Sequence, residues 1–250
     1  MEDFYEFGEL SNSQKQAIIT LIENKGKEKR LVKNWRPISL INVDAKIISK
    51  VLAKRLENVL PHLIHHNQNA FVKGRSIFDA VRTIDDIVDY TKRNDWPGIL
   101  IAIDFEKAFD TLNFRFLIRT LHKFNFGPSF IQWIRVLYKN ASSCVMNNGF
   151  TTGPFQLNRG VRQGDPLSPY LFILAIETLA IRIRQDSTIQ GLKIGEEETK
   201  LSLFADDMTC ILKDNACYTA LFSILESFEE CSGLKVNDEK TEILDLSFGK

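Results

Sequence analysis

Three carboxylates sit where chemistry is easiest to build. Asp104 closes the apolar run Ile99-Leu100-Ile101-Ala102-Ile103. Asp206 and Asp207 lie between Leu201-Ser202-Leu203-Phe204 and Met208-Thr209-Cys210-Ile211-Leu212. Neighbouring carboxylates on a tight turn repel one another unless a cation compensates. Mg²⁺ takes hard oxygen ligands and keeps several waters, so a few well-placed carboxylates suffice to hold it. Two such ions would suit the in-line transfer of a phosphoryl group between two oxygens, with charge building on both. That use requires rigid elements beneath the carboxylates. The apolar runs predict them: a buried strand ending on Asp104, and a hairpin whose tight turn is Ala205-Asp206-Asp207. By residue type alone, the Asp-Asp turn reads equally as a solvated corner or as a metal-binding turn.

Further elements follow from periodicity. Ile18–Ile22 reads as a strand with Asn24-Lys25-Gly26-Lys27 as its turn. Ile48, Leu52, Leu56 and Leu60 keep helical spacing from a start near Asn42 or Asp44 up to Pro61. Ser76 is placed to cap a second helix with Ile77, Val81, Ile84 and Val88 on one side, broken at Asp95-Trp96-Pro97-Gly98. Helices are predicted around Phe116–Lys123, over Pro128–Asn140, from Ser168-Pro169 onward, and from Asn215 to about Cys231. Met146-Asn147-Asn148-Gly149 is a hairpin signal, and Thr241–Leu246 a short strand. The order is α+β, with no regular βαβ repeat.

Composition narrows the class. The chain has 250 residues, enough for one large or two small domains. Its apolar runs are short and interrupted by charge, and Met1-Glu2-Asp3-Phe4 lacks the basic start of a signal peptide. A soluble intracellular protein with no membrane partner is expected, in nucleus or cytoplasm. Cys144, Cys210, Cys217 and Cys231 have no close paired spacing, which points to neither zinc nor disulfides; Cys210 reads as a small core residue. His62, His65 and His66 cluster without a cysteine nearby, a poor metal set. Thirty-two basic residues balance thirty-two acidic ones. A nucleic-acid binder usually carries a basic excess, so any such binding here must rest on a local basic stripe.

Six blocks occur in order. They are Asn34-Trp35-Arg36-Pro37-Ile38-Ser39-Leu40; Asn69-Ala70-Phe71-Val72-Lys73-Gly74-Arg75-Ser76; Asp104-Phe105-Glu106-Lys107-Ala108-Phe109-Asp110; Gly160-Val161-Arg162-Gln163-Gly164-Asp165-Pro166-Leu167-Ser168-Pro169; Phe204-Ala205-Asp206-Asp207; and Gly233-Leu234-Lys235-Val236-Asn237 running into Lys240-Thr241-Glu242. Together they resemble the reverse transcriptases of LINE-type (non-LTR) retrotransposons, over nearly the whole chain. The resemblance implies a right-hand polymerase with an antiparallel palm sheet and packed helices. Residues 1–98 would form fingers and 99–250 the palm, with part of the fingers returning near 140–165. It implies neither thumb nor endonuclease within these residues. The group II intron and template-RNA-polymerase branches share the palm, and a catalytically silent remnant would carry the same blocks.

The resemblance also implies roles. Asp104 and Asp206, with the carbonyl of Phe105, would hold two Mg²⁺ ions, for which Mn²⁺ could substitute, and Asp207 would complete the acidic cluster. Phe109 would be the steric gate against a ribose 2′-hydroxyl, which favours deoxynucleotides over ribonucleotides. Gln163 and Gly164 would lie against the incoming nucleotide and template base. Arg75 is a candidate clamp on the triphosphate, since a guanidinium fork suits phosphate oxygens; Arg36 and Lys73 are further phosphate candidates. Lys240 would protonate the pyrophosphate leaving group. The implied partners are an RNA or DNA template with a primer 3′ end and deoxynucleoside triphosphates; nothing implies an oligomeric state.

Overall fold

The computed structural model describes residues 8–246. Its architecture is set by two sheets and the helices that cover them. Strands β1 (Gln16–Glu23), β2 (Trp35–Leu40), β4 (Ser142–Asn147), β5 (Phe150–Thr151) and β6 (Phe155–Gln156) form one sheet. In it β1 pairs antiparallel with β2 and parallel with β4, more than a hundred residues downstream. The predicted hairpin is present: Asn147 pairs with Phe150, and Asn148 and Gly149 both take positive φ, as a two-residue turn demands.

The second sheet carries the carboxylates. Strands β3 (Ile99–Ile103), β9 (Leu201–Phe204), β10 (Asp207–Leu212) and β11 (Glu242–Asp245) lie in the order β11-β3-β10-β9, every pairing antiparallel. β3 and the C-terminal half of β10 are apolar because the sheet interior buries them: Ile101, Cys210, Ile211 and Leu212 are fully buried. Burial pushes the Cys210 thiol up to about 12, the behaviour of a packed core cysteine. A separate hairpin pairs β7 (Leu192–Ile194) with β8 (Glu197–Thr199); its three-residue strands leave too short a pattern to read from sequence.

The helix Ser168–Gln185 starts with Pro169 in its first turn and is buried almost all round. It packs against the helices Val43–Leu63, Phe114–Lys123 and Asn215–Ser232, which explains its near-continuous apolar sequence. Phe172, Leu171, Ile173 and Leu174 are wholly enclosed there. Each such side chain contributes roughly 2–3 kcal/mol by leaving water.

Two sequence expectations are corrected. The helix expected to stop at Pro61 continues to Leu63, with Pro61 inside it and the Ile64 N–H donating to Leu60. A proline in the last turn forfeits one helical bond, and the buried Leu60 and Ile64 hold that turn down. The helix Ile77–Asn94 is capped by Ser76 as expected, but it buries Ala80, Ile87 and Thr91. Of the side that periodicity lines with Ile77, Val81, Ile84 and Val88, the residues Ile77 and Val81 are exposed. Its C-terminal half docks on a small cluster of Ile87, Leu192 and Ile211 with Trp96, which rotates the contact face away from Val81.

Candidate active site

The aspartates meet because of one register. β10 pairs with β3 so that Met208 faces Ile103, and one step further brings Asp207 beside Asp104. Asp206 occupies the turn just before. Asp104 and Asp206 are half-buried and Asp207 is exposed. Burial holds the Asp206 carboxyl above its ordinary range, and the charges of Asp207 and Asp104 add to this. Asp207 is raised in the same way, by burial first and Asp104 second. The cluster therefore has a standing demand for positive charge.

Part of that demand is met internally. Lys240 Nζ donates to Asp104 Oδ2 at 3.2 Å, and Asn237 Nδ2 donates to the same oxygen at 2.8 Å. The Asn237 N–H also donates to the Asp104 carbonyl, the Glu106 N–H donates to Lys235, and Phe105 bridges Val236. The segment Gly233–Asn237 thus runs as a splint along Asp104-Phe105-Glu106 and delivers Lys240 to the site. Among the described residues, no group of three or more His, Cys, Asp or Glu is gathered tightly enough to hold a metal ion. The donor chemistry nonetheless fits a hard divalent cation: all-oxygen ligands and crowded like charges.

The turn after Asp104 carries the rest. Lys107 takes positive φ and opens the short helix Ala108–Thr111. There the Phe109 ring stacks on Phe172 with centroids 4.7 Å apart, and the Phe109 carbonyl accepts the Val161 N–H. Gly160 passes so close that a Cβ would stand 2.6 Å from the Asp110 carbonyl oxygen, which only glycine avoids. Gln163 then ties two regions together. Its Nε2 donates to Asp110 Oδ2 at 3.2 Å, and its carbonyl accepts the Ser39 N–H of β2 at 2.9 Å. Gly164 is exposed beside Ser39, at φ +100°. Burial raises the Asp110 carboxyl, and the Gln163 amide opposes that rise.

Arg75 has a task the sequence did not signal. Its guanidinium donates to the carbonyls of Ile64, His65 and Gln68 at 2.6–2.8 Å, closing off the end of the helix Val43–Leu63. Those bonds occupy the fork a triphosphate would need. Arg36 lies on β2 opposite Ile22, and Lys73 lies in the loop before Arg75; both are exposed. The structure brings Asp104, Asp206, Asp207 and Lys240 together, and links Phe109 to Gln163 through Asp110 and Val161. It gives neither Arg36 nor Lys73 a bond to that cluster.

One residue escaped sequence reading. Gln68 is fully buried, and its Oε1 accepts the N–H groups of Ala205 and Ala70, each at 2.9 Å. Its Nε2 donates to the Ala205 carbonyl at 3.3 Å. Ala205 holds φ +58°, a left-handed conformation that costs a residue with a Cβ roughly 1–2 kcal/mol. Gln68 offsets that cost by satisfying both backbone groups of the turn. The Asn67–Asn69 backbone also pairs with Leu203 as a short parallel bridge. In sequence, Gln68 is one polar residue among the loop residues His66-Asn67-Gln68-Asn69, and no local signal marks it.

A carboxylate-bearing antiparallel sheet, a second sheet tied by Gln163 to the turn after Asp104, and covering helices make up the fingers and palm of a right-hand polymerase. Solved structures share the arrangement. Telomerase from Candida tropicalis truncated from its C-terminal domain superposes with a TM-score of 0.65 at 17% identity, over 94% of this chain and 51% of that one. Candida tropicalis telomerase with a fragment of telomeric RNA gives 0.66 at 16%, over 97% and 42%. The chain belongs to the reverse transcriptase (RNA-dependent DNA polymerase) family, whose profile matches residues 22–248.

Its relatives are proteins of non-LTR elements. It is 35% identical to the transposon TX1 uncharacterized 149 kDa protein of Xenopus laevis, over 99% of this chain and 20% of that protein. It is 25% identical to a Pol polyprotein of the retrotransposable element R2 of Popillia japonica, over 86% of this chain and 30% of that protein. With the R2DM polyprotein of Drosophila melanogaster the identity is 27%, over 93% and 22%. The chain thus spans 20–30% of the length of these relatives. Among the described residues, no helix is long and apolar enough to cross a membrane.

Proposed function

We propose that this chain supplies the fingers and palm of an RNA-directed DNA polymerase, which extends a primer 3′ end by deoxynucleotides on an RNA or DNA template. Residues up to 98 and the returning segment near 140–165 act as fingers, and the remainder from 99 as palm. The observation that carries the reading is the register of Met208 on Ile103, which aligns Asp207 with Asp104 and sets Asp206 beside them.

In the reaction, the primer 3′-oxygen attacks the α-phosphorus, a new P–O bond forms, and the bond to the bridging oxygen breaks to release pyrophosphate. Two Mg²⁺ ions, or Mn²⁺ in their place, would activate the attacking hydroxyl and neutralise the leaving group when bound by Asp104, Asp206 and the carbonyl of Phe105, with Asp207 alongside. Phe109, held by Phe172 beneath it, presents its ring to the sugar and excludes a 2′-hydroxyl. Gln163 and Gly164 form a surface for the nascent base pair, and the missing side chain at Gly164 permits close approach. Lys240, held at Asp104, is placed to give its proton to the leaving pyrophosphate. Arg36 and Lys73 remain the exposed candidates for nucleotide or template phosphates, and Arg75 acts beneath the site rather than on the triphosphate.

A catalytically silent remnant is the second reading. It is favoured by the ion pair of Lys240 with Asp104, which engages a carboxylate that the metal role needs. Primer extension on an RNA template with Mg²⁺ and deoxynucleotides, beside an Asp206→Asn control, separates the two. Extension that depends on Asp206 supports the polymerase; its absence under all metal and template conditions supports the remnant.

A further inference from the structure

The helix Ser168–Gln185 carries a single acid, and it points into the core. Glu177 is 1% exposed; its Oε1 accepts from Arg184 Nη2 and from the His65 N–H at 3.4 Å. Its Oε2 is buried without a hydrogen-bond partner among the described residues, and so is Arg184 Nη1. Burial raises the Glu177 carboxyl, and the charge of Arg184, the His65 N–H and the charge of Arg75 oppose the rise. Glu177 in turn supports the charged form of Arg75 against its own burial. One carboxylate is therefore the counter-charge of two guanidiniums.

Both backbone groups of His65 are then fixed, its N–H by Glu177 and its carbonyl by Arg75 at 2.6 Å. Arg75 also holds the Gln68 carbonyl, and Gln68 holds both backbone groups of Ala205. The same helix end anchors the other approach to the aspartate turn. Lys200, the buried residue just before β9, donates through Nζ to the carbonyls of Arg184 and Asp186 at 3.1 and 2.8 Å. A buried ion pair is commonly no more stabilising than an apolar pair of the same volume. An apolar pair, however, could neither accept the His65 N–H nor oppose the charge of Arg75.

We propose that Glu177 is a positioning residue for the aspartate turn: it holds the His65 peptide and the Arg75 guanidinium, and through Gln68 and Ala205 it fixes Asp206 and Asp207. Its consequence for turnover rests on the polymerase reading above, whereas its effect on the turn does not.

Hydrogen exchange by mass spectrometry on the 250-residue chain reads the turn directly, because the Ala205 N–H is donated to Gln68. Glu177→Gln should raise exchange in residues 203–207 by about tenfold relative to the helix Phe114–Lys123, as a local rather than global opening. Arg184→Gln breaks the same ion pair but leaves Glu177 to Arg75 and His65, so this ratio should stay within about twofold of the parent's. Equal ratios in the two variants would make Glu177 merely half of an ion pair and would overturn the proposal. Should Glu177→Gln fail to fold, Glu177→Asp takes its place: one methylene shorter, it should raise the same ratio, and an unchanged ratio overturns the proposal. In primer extension, Glu177→Gln should lower kcat about tenfold with KM for deoxynucleotide unchanged, the size of effect expected for an outer partner of metal-site ligands. A rise in KM at constant kcat would count against a role through the turn. A raised exchange ratio with no extension by the parent sinks the polymerase activity alone, and Asp206-dependent extension with an unchanged ratio sinks this proposal alone.

Discussion

Gln68 and Ala205 are 137 positions apart, yet the Gln68 amide makes both a donor and an acceptor contact with the Ala205 backbone, at 3.3 and 2.9 Å. Ala205 is the residue that turns the chain so that Asp206 and Asp207 follow. The placement of the carboxylates therefore rests on a side chain from a distant loop, itself held by Arg75 at the Gln68 carbonyl. Arg75, Gln68 and Ala205 form a relay from the end of a helix to the aspartate turn.

Replacing Gln68 by alanine leaves the N–H and carbonyl of Ala205 and the N–H of Ala70 without their partner. Destabilisation of about 3 kcal/mol is expected, since each buried unpaired group costs roughly 1–3 kcal/mol. Gln68 acts through the turn, so the variant should lose kcat while KM for deoxynucleotide stays near the parental value. Chemical denaturation and steady-state extension read the two effects; a change in KM with kcat intact would move Gln68 out of the positioning role.

Arg75 is expected to matter for stability before substrate. Arg75→Lys keeps the charge but not a fork able to reach three carbonyls, and a loss of about 2 kcal/mol follows from weakened charge-assisted bonds. If the thermal midpoint were unchanged while KM for the nucleotide rose tenfold, Arg75 would be a triphosphate clamp after all.

Asp104→Asn and Asp206→Asn should each abolish primer extension, because each removes a charge that a bound cation needs. The Asp206 variant should fold at least as stably as the parent, since burial and like charge already disfavour its ionised form. Near-parental extension by either variant is the outcome that removes that residue from the catalytic set.

Phe109→Val should admit ribonucleotides more than it harms deoxynucleotide use, as removing a steric obstruction favours the excluded substrate. It also gives up the stack on Phe172, at roughly 1 kcal/mol of stability. Competition between the two nucleotide types, measured as a kcat/KM ratio, checks this; an unchanged ratio places the gate elsewhere.

His65 sets an acid limit. Burial first, and then the charge of Arg184, lowers its pKa from 6.5 to about 4. The unfolded chain therefore binds this proton more readily than the folded one between those values. The contribution is fully present above about pH 6.5 and is lost as pH falls toward 4. Unfolding midpoints measured from pH 7 to 4 should decline, and His65→Gln should flatten part of that decline; an unaltered profile assigns the loss to other groups.

By itself the sequence determined the parts that obey local rules. The apolar run Ile99–Ile103 had to be a buried strand, Asp104 had to end it, and the paired runs around Asp206-Asp207 had to form a hairpin, because strand periodicity and tight turns are written in neighbouring residues. Ser76 as a cap and Asn148-Gly149 as a turn were legible for the same reason. What only the tertiary structure decided depends on partners far along the chain: the register that sets Asp207 beside Asp104, the rotation of the helix Ile77–Asn94 toward Ile211, and the assignment of Arg75 to three carbonyls. The burial of Gln68 against Ala205 belongs with them. A buried amide is chosen by the unsatisfied backbone groups that fold onto it, and those groups do not exist as a site until the turn and the loop have met.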